Sequence, residues 1–134
     1  MFQFQRTTHV YETDLMGIVH HSNYLRFCEE ARVVWCVQNK VLDASNRAVF
    51  GLTVVETRVK HIAPIRFGDE LTILVQVKHE GARVIFQYRL QVKGSDVARA
   101  ETIHCRIDEN FKVLRLDKKM TDLLKEQKWT ETWL

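Results

Sequence analysis

After Gly51 the hydrophobic pattern changes to a period of two, and no other feature of the chain limits its fold as strongly. Val55, Thr57, Val59, His61 and Ala63 alternate with Glu56, Arg58, Lys60 and Ile62, which predicts a strand with one largely apolar and one charged face. "FGDE" at Phe67 to Glu70 reads as a turn, and Leu71, Ile73, Val75 and Val77 then alternate again. "EGA" breaks that run; Val84, Phe86, Tyr88, Leu90 and Val92 form a third, and "KGSD" leads into a fourth from about Val97 to Ile107. Tight turns make such strands antiparallel, and an antiparallel sheet with one apolar face needs something to cover it.

The one element long enough for that lies upstream. Tyr24, Phe27, Cys28, Ala31, Val34 and Trp35, followed by Val41 and Leu42, have the three-and-four spacing of a helix with one buried face, predicted from Asn23 to about Leu42. Ser22 or Asn23 stands where an N-cap belongs. Phe2 to Tyr11 reads as a further strand, and Met120, Leu123 and Leu124 as a short closing helix. The expected architecture is α+β: an antiparallel sheet of about five strands wrapped around a long central helix.

With 134 residues, one proline (Pro64), five glycines and no low-complexity linker or repeat, the chain is expected to form a single domain, 1–134. Apolar residues at 46% and charged residues at 28% are a globular balance, and no stretch approaches the ~20 apolar residues of a membrane span. The net charge of +3 is dispersed, so nucleic-acid binding is not signalled, although a few cations gathered by folding could hold a phosphorylated small molecule. Cys28, Cys36 and Cys105 are odd in number and lack paired spacing, which argues against a disulfide framework. With no leader in "MFQFQRTTHVYE", a cytoplasmic protein is expected.

Two segments carry a family resemblance. "YETDLMGIVHHSNYLRFCEEAR" has a tyrosine, a Thr-Asp pair, a glycine shortly after, a hydrophobic pair, a histidine, Asn-Tyr and a Glu-x-Ala-Arg helix; "RVKHIAPIRFGDEL" has a strand ending in proline, three residues, then Gly-Asp. Together with the element order, they resemble the hotdog fold, in particular the hydroxybenzoyl-CoA thioesterase-like family that includes the acyl-CoA thioesterases associated with the Tol-Pal system. His20 and His61 depart from the aromatic residues usual at those positions, which bears on substrate preference.

The resemblance implies an acyl-CoA thioesterase with Asp14 as nucleophile or general base. The chemistry suits one carboxylate, because a thioester carbonyl is weakly stabilised and its thiolate leaves readily. Amides around His21 to Asn23, at the start of the helix, would meet the oxyanion. A second reading of Asp14 is a turn residue whose side chain caps local amides. His21 would orient substrate or water, or else pack at the helix start; Tyr11 would hydrogen-bond in the site, or be an ordinary strand aromatic. Gly17 would supply a backbone conformation or a close approach, and Ser22 and Asn23 would border the substrate. Asn23 and Glu29 match the family pattern, and an N-cap and a solvated helix face explain them equally well. Adjacent His20 and His21 do not make a metal site, since neighbours rarely point at one centre.

No Gly-rich phosphate loop is present, so Arg58, Lys60 and Arg66 are the candidate cations for coenzyme A, each also readable as solvated sheet surface. No separate cofactor is implied, coenzyme A being part of the substrate. An acyl carrier protein thioester is an alternative substrate. The resemblance further implies a homodimer or a dimer of dimers, paired along strand edges and with the site shared between chains. Two other functions stay open: an acyl-thioester binder or scaffold without catalysis, and a hotdog hydratase or dehydratase. Pocket depth would depend on how Trp35, Phe50 and Val54 pack.

Overall fold

A computed structural model describes residues 1–41 and 52–134. Leu42, Phe50 and Gly51, which enter the expectations above, lie outside the described residues. Strand β1 (Phe2–Thr7) is followed by two 3-10 turns, Val10–Glu12 and His21–Asn23, and by helix α1 (Tyr24–Gln38). Then come β2 (Leu52–His61), β3 (Glu70–Glu80), β4 (Arg83–Val92), β5 (Ser95–Ile107), the two-residue β6 (Val113–Leu114) and helix α2 (Lys118–Glu126).

The sheet runs β1-β3-β4-β5-β2, with β6 adding to the end of β5, and every pairing is antiparallel. Alternation sorts its residues as the sequence predicts. Leu71, Ile73, Val75 and Val77 of β3, Phe86, Tyr88 and Leu90 of β4, and Ala98 and Ala100 of β5 are buried with Phe27, Cys28, Ala31 and Trp35 of α1. Trp35 meets Phe86 edge-on at 5.3 Å. Each large apolar side chain enclosed this way contributes roughly 1.5–3 kcal/mol. A sheet curled around one long helix is the hotdog fold, and the three cysteines are buried and free within it.

Four local expectations need correction. The first strand stops at Thr7 rather than Tyr11, because Thr8 turns across the sheet: its amide donates to Asp69 O at 3.0 Å and its hydroxyl to Arg66 O at 2.6 Å. Helix α1 stops at Gln38, where Asn39 Nδ2 donates to Trp35 O at 2.8 Å and Lys40 turns left-handed, with φ of 58°. Neither Ser22 nor Asn23 caps α1 with its side chain; the chain enters through the 3-10 turn, and His20 Nδ1 accepts the Ser22 amide at 3.1 Å. In β2 a bulge lies between Val54 and Glu56, so Val54 and not Val55 shares the helix-side face with Thr57, Val59 and His61.

The outer face of the sheet is partly closed by the chain's last residues. Gln76 and Gln87, both buried, form a bonded pair at 2.9 Å. Gln76 donates to Glu131 O at 2.8 Å, Gln87 Oε1 accepts the Trp133 amide at 2.8 Å, and Gln87 Nε2 reaches Thr132 Oγ1 at 2.9 Å. Lys78 lies over the Trp129 ring at 4.5 Å.

Candidate active site

Asp14 begins a tight turn. Its amide donates to Ile18 O at 2.8 Å, Gly17 N donates back to Asp14 O at 3.0 Å, and Thr13 bridges Val19. Gly17 has φ of +77°, with nothing within 4 Å of where a Cβ would stand, so conformation and not crowding requires a glycine there. Asp14 Oδ1 accepts the Met16 amide at 2.8 Å. The turn-capping reading and a chemical role are therefore compatible, since the second carboxylate oxygen has no partner among the described residues.

The turn is fastened to the second motif. Val19 N donates to Ile65 O at 2.7 Å and Ile18 bridges Arg66, which brings the two family-like segments side by side. Glu12 holds the other side of the loop. Its carboxylate receives Arg6 Nη1 at 2.9 Å, Arg6 Nη2 at 2.7 Å and the His9 amide at 2.8 Å, while its carbonyl accepts His20 N and Asn23 Nδ2, each at 2.9 Å. Burial alone would raise the Glu12 pKa, but the Arg6 hydrogen bonds, the His9 amide and the Arg6 charge together lower it. Arg6 also pairs with Glu30 at 2.9 Å and stacks over Phe27 at 4.1 Å. Neither Arg6 nor Glu12 was singled out from sequence, although a charged residue inside the first motif was a visible signal.

The helix side of this loop opens into a cavity of about 480 Å³ lined by Asp14, Ile18, Val19, His21, Tyr24, His61, Ile62, Ala63 and Pro64. Asp14 is half-buried, His21 is exposed at the mouth, and His61 meets Tyr24 edge-on at 4.5 Å. Tyr24 and His61 were not predicted as site residues; His61 was noted only as a departure. The His21 ring lies 4.2 Å from that of His20 and makes no hydrogen bond to Asp14. Ser22 N is taken by His20 Nδ1 and Asn23 N by His20 O, so of these three amides only that of His21 lacks a described partner. The expected group of helix-start donors is thus narrowed to one.

The other candidates fall outside the cavity. Tyr11 is 78% exposed and stacks on His9 at 5.1 Å. Ser22 bonds His20 through its hydroxyl at 2.8 Å, and Asn23 is buried with its side chain on Glu12 O. Arg58 and Lys60 alternate with Val59 and His61, so they project from the opposite face of the sheet, where Arg58 lies 3.5 Å from Glu101. A charged strand face read from sequence carries no information about which side the cavity occupies. Arg66 is exposed, does not line the cavity, and is bridged through its backbone to Ile18, which does.

This arrangement offers one carboxylate oxygen, the imidazoles of His21 and His61, and one backbone donor around an open, partly apolar hollow. Comparison with known proteins fits that chemistry: residues 8–123 match the Thioesterase-like superfamily. The chain belongs to this superfamily. As a member of the thioesterase-like superfamily it is 33% identical over 129 residues, 93% of this chain and 98% of the relative, to an Aquifex aeolicus protein provisionally named an esterase. It is 32% identical over 108 residues to the 1,4-dihydroxy-2-naphthoyl-CoA hydrolase of Thermosynechococcus vestitus, covering 75% of this chain and 72% of the relative. Among solved structures, a 1,4-dihydroxy-2-naphthoyl-CoA thioesterase from Synechocystis superposes with a TM-score of 0.83 at 24% identity, covering 93% of this chain and 96% of that one, a likeness of fold.

Proposed function

We propose that the protein hydrolyses acyl-CoA thioesters with Asp14 as the reacting carboxylate. The observation that carries this reading is the Asp14 side chain itself: one oxygen is fixed by the Met16 amide, and the residue lines a cavity with His21. Either the free oxygen takes a proton from water as the hydroxyl adds to the carbonyl carbon, or it adds to that carbon itself and water opens the resulting anhydride. On both routes the C–S bond breaks and the thiolate leaves as coenzyme A. The His21 amide is the donor for the oxyanion, and the His21 imidazole orients water or substrate. Arg66 is the cation for the coenzyme A phosphates.

The named relatives support a coenzyme A thioester, and the first motif extends the proposal to the hydroxybenzoyl-CoA thioesterase-like family and its Tol-Pal-associated subgroup. The proposal includes a cytoplasmic location. Among the described residues no helix is long and apolar enough to cross a membrane.

A homodimer belongs to the same proposal. The 10-residue β2 is an edge strand, exposed along most of its length, with Val54 46% and Val55 52% accessible. Pairing with a second copy would close it and bring partner side chains, Arg58 and Lys60 included, to the neighbour's cavity. Sedimentation that finds only monomer at working concentration overturns the dimer.

Thiol release from a panel of aliphatic and aromatic acyl-CoA substrates tests the activity, with the same acyl groups on acyl carrier protein as a second arm. Saturable coenzyme A binding without hydrolysis would replace catalysis by a binding role, and water addition without thiol release would make the protein a hydratase.

A further inference from the structure

A second polar site lies along the same seam between α1 and β2, on the side away from Asp14. Arg32, on α1 and half-buried, donates through Nη1 to Tyr88 Oη at 3.1 Å and to Thr102 Oγ1 at 3.5 Å. Tyr88 Oη and Thr102 Oγ1 are 2.8 Å apart, and Thr102 Oγ1 is 2.9 Å from His104 Nε2. Tyr88, Thr102 and His104 are all buried, so the neutral part of this cluster is built into the core. Burial and the neighbouring Arg32 push His104 down to about 3, which leaves its ring uncharged and unable to serve as a counter-ion.

Arg32 borders two hollows. One of about 220 Å³ is bordered by Leu25, Arg26, Glu29, Arg32, Thr57 and Thr102, and one of about 160 Å³ by Glu29, Arg32, Cys36, Val54 and His104 among others. Arg32 makes no ion pair among the described residues, not even with Glu29, which shares both hollows. Arg6, on the other side of α1, is by contrast bound to two carboxylates. A guanidinium has five N–H donors in a planar fork, and only one of its terminal nitrogens is engaged here, by neutral oxygens. A half-buried cation held rigidly in this way is matched by a planar carboxylate.

We propose that Arg32 is a carboxylate-binding subsite for the far end of the acyl group, so that the preferred substrate is a thioester of a dicarboxylic acid. This rests on the thioesterase reading above. Tyr24, beside Asp14, and Arg32 are separated by about 12 Å along α1 at roughly 1.5 Å per residue. A chain whose thioester lies at Asp14 and whose second carboxylate lies at Arg32 follows the helix along that seam. Tyr88 is a positioning residue: its hydroxyl holds the guanidinium and does not touch the ligand.

The test compares kcat/KM for hexanedioyl-, octanedioyl- and decanedioyl-CoA with the matching hexanoyl, octanoyl and decanoyl thioesters. One dicarboxylic chain length is expected to exceed its monocarboxylic partner by at least about tenfold, and Arg32→Gln to reduce that ratio by at least about tenfold, the scale of a hydrogen bond to a charged group. Arg32→Lys should restore part of the ratio. Tyr88→Phe should lower it with the fold retained by circular dichroism, and decides the matter if Arg32→Gln does not fold. Monocarboxylic chains hydrolysed as well as every dicarboxylic one overturn the subsite while leaving the hydrolase intact. Weaker binding of coenzyme A alone to Arg32→Gln also overturns it, because Arg32 would then hold phosphate. If no thioester releases thiol, the hydrolase reading fails, and the subsite is judged by binding of octanedioyl and octanoyl thioether analogues: equal affinity overturns it, and a dicarboxylic preference lost in Arg32→Gln supports it.

Discussion

Asp14 Oδ1 accepts the Met16 amide at 2.8 Å, so the carboxylate proposed to react with substrate is also the group that shapes its own turn. Asparagine retains an oxygen for that amide but has no basic or nucleophilic carboxylate. Asp14→Asn is therefore expected to keep its fold and its coenzyme A affinity while kcat falls about 10²–10⁴-fold, the usual worth of a positioned general base. Thiol-release kinetics beside circular dichroism check this, and full activity in the variant refutes the role of Asp14.

Gly17 stands at φ of +77° in the turn that Asp14 opens. Gly17→Ala adds no contact, so its cost is conformational, about 1–2 kcal/mol. A lower urea midpoint is expected, together with reduced kcat, because the turn that aims Asp14 relaxes. An unchanged midpoint would show that the loop has another conformation open to it.

The Glu12 and Arg6 side chains are 8% and 10% accessible. Removing Glu12 leaves Arg6 with Glu30 alone, so Glu12→Ala is expected to lower stability by about 1.5–3 kcal/mol in urea titration, the scale of hydrogen bonds to a charged group. The pH dependence has a definite sign. The folded protein lowers the Glu12 pKa, so its contribution is fully present above the ordinary carboxylate value of 4.5 and is lost as pH falls through the lowered one. Glu12→Ala should remove that part of the acid loss.

His104 acts in a higher pH window. Its pKa drops from 6.5 to about 3 in the folded protein, so protonation favours the unfolded chain. Stability should decline below pH 6.5 by up to about 1.4 kcal/mol per pH unit for this one proton. His104→Gln, which keeps a partner for Thr102, should flatten unfolding free energy over that range. A slope equal to the wild type would place the titrating proton elsewhere.

The β3–β4 hairpin was legible because its side chains follow a strict period of two about Gly81, and α1 because Phe27, Cys28, Ala31 and Trp35 recur on one face. The entry to α1 was not, because the capping atom is a histidine nitrogen and Asn23 bonds backwards to Glu12 O. Asp14 and His21 were placed in one cavity as the motif implied, whereas Tyr11 swings out on the 3-10 turn. Arg58 and Lys60 project from the face opposite their own chain's cavity, which alternation could not reveal because it defines two faces without saying which one meets the helix end. The closing role of Trp133 depends on Gln76 and Gln87, polar residues far away in the chain that no local pattern links to it.

The bulge between Val54 and Glu56 acts as a parity switch on the wall of the acyl seam. Deleting Val55 would remove the extra residue and leave Val54 opposite His104, still bordering the hollow beside Arg32, whereas drawing Val55 into regular alternation would turn Val54 outward and rotate everything upstream by half a repeat. Keeping one residue out of the ladder is thus what holds Val54 on that wall, and a single-codon deletion there costs the strand its bend while leaving the wall and Asp14 as they are.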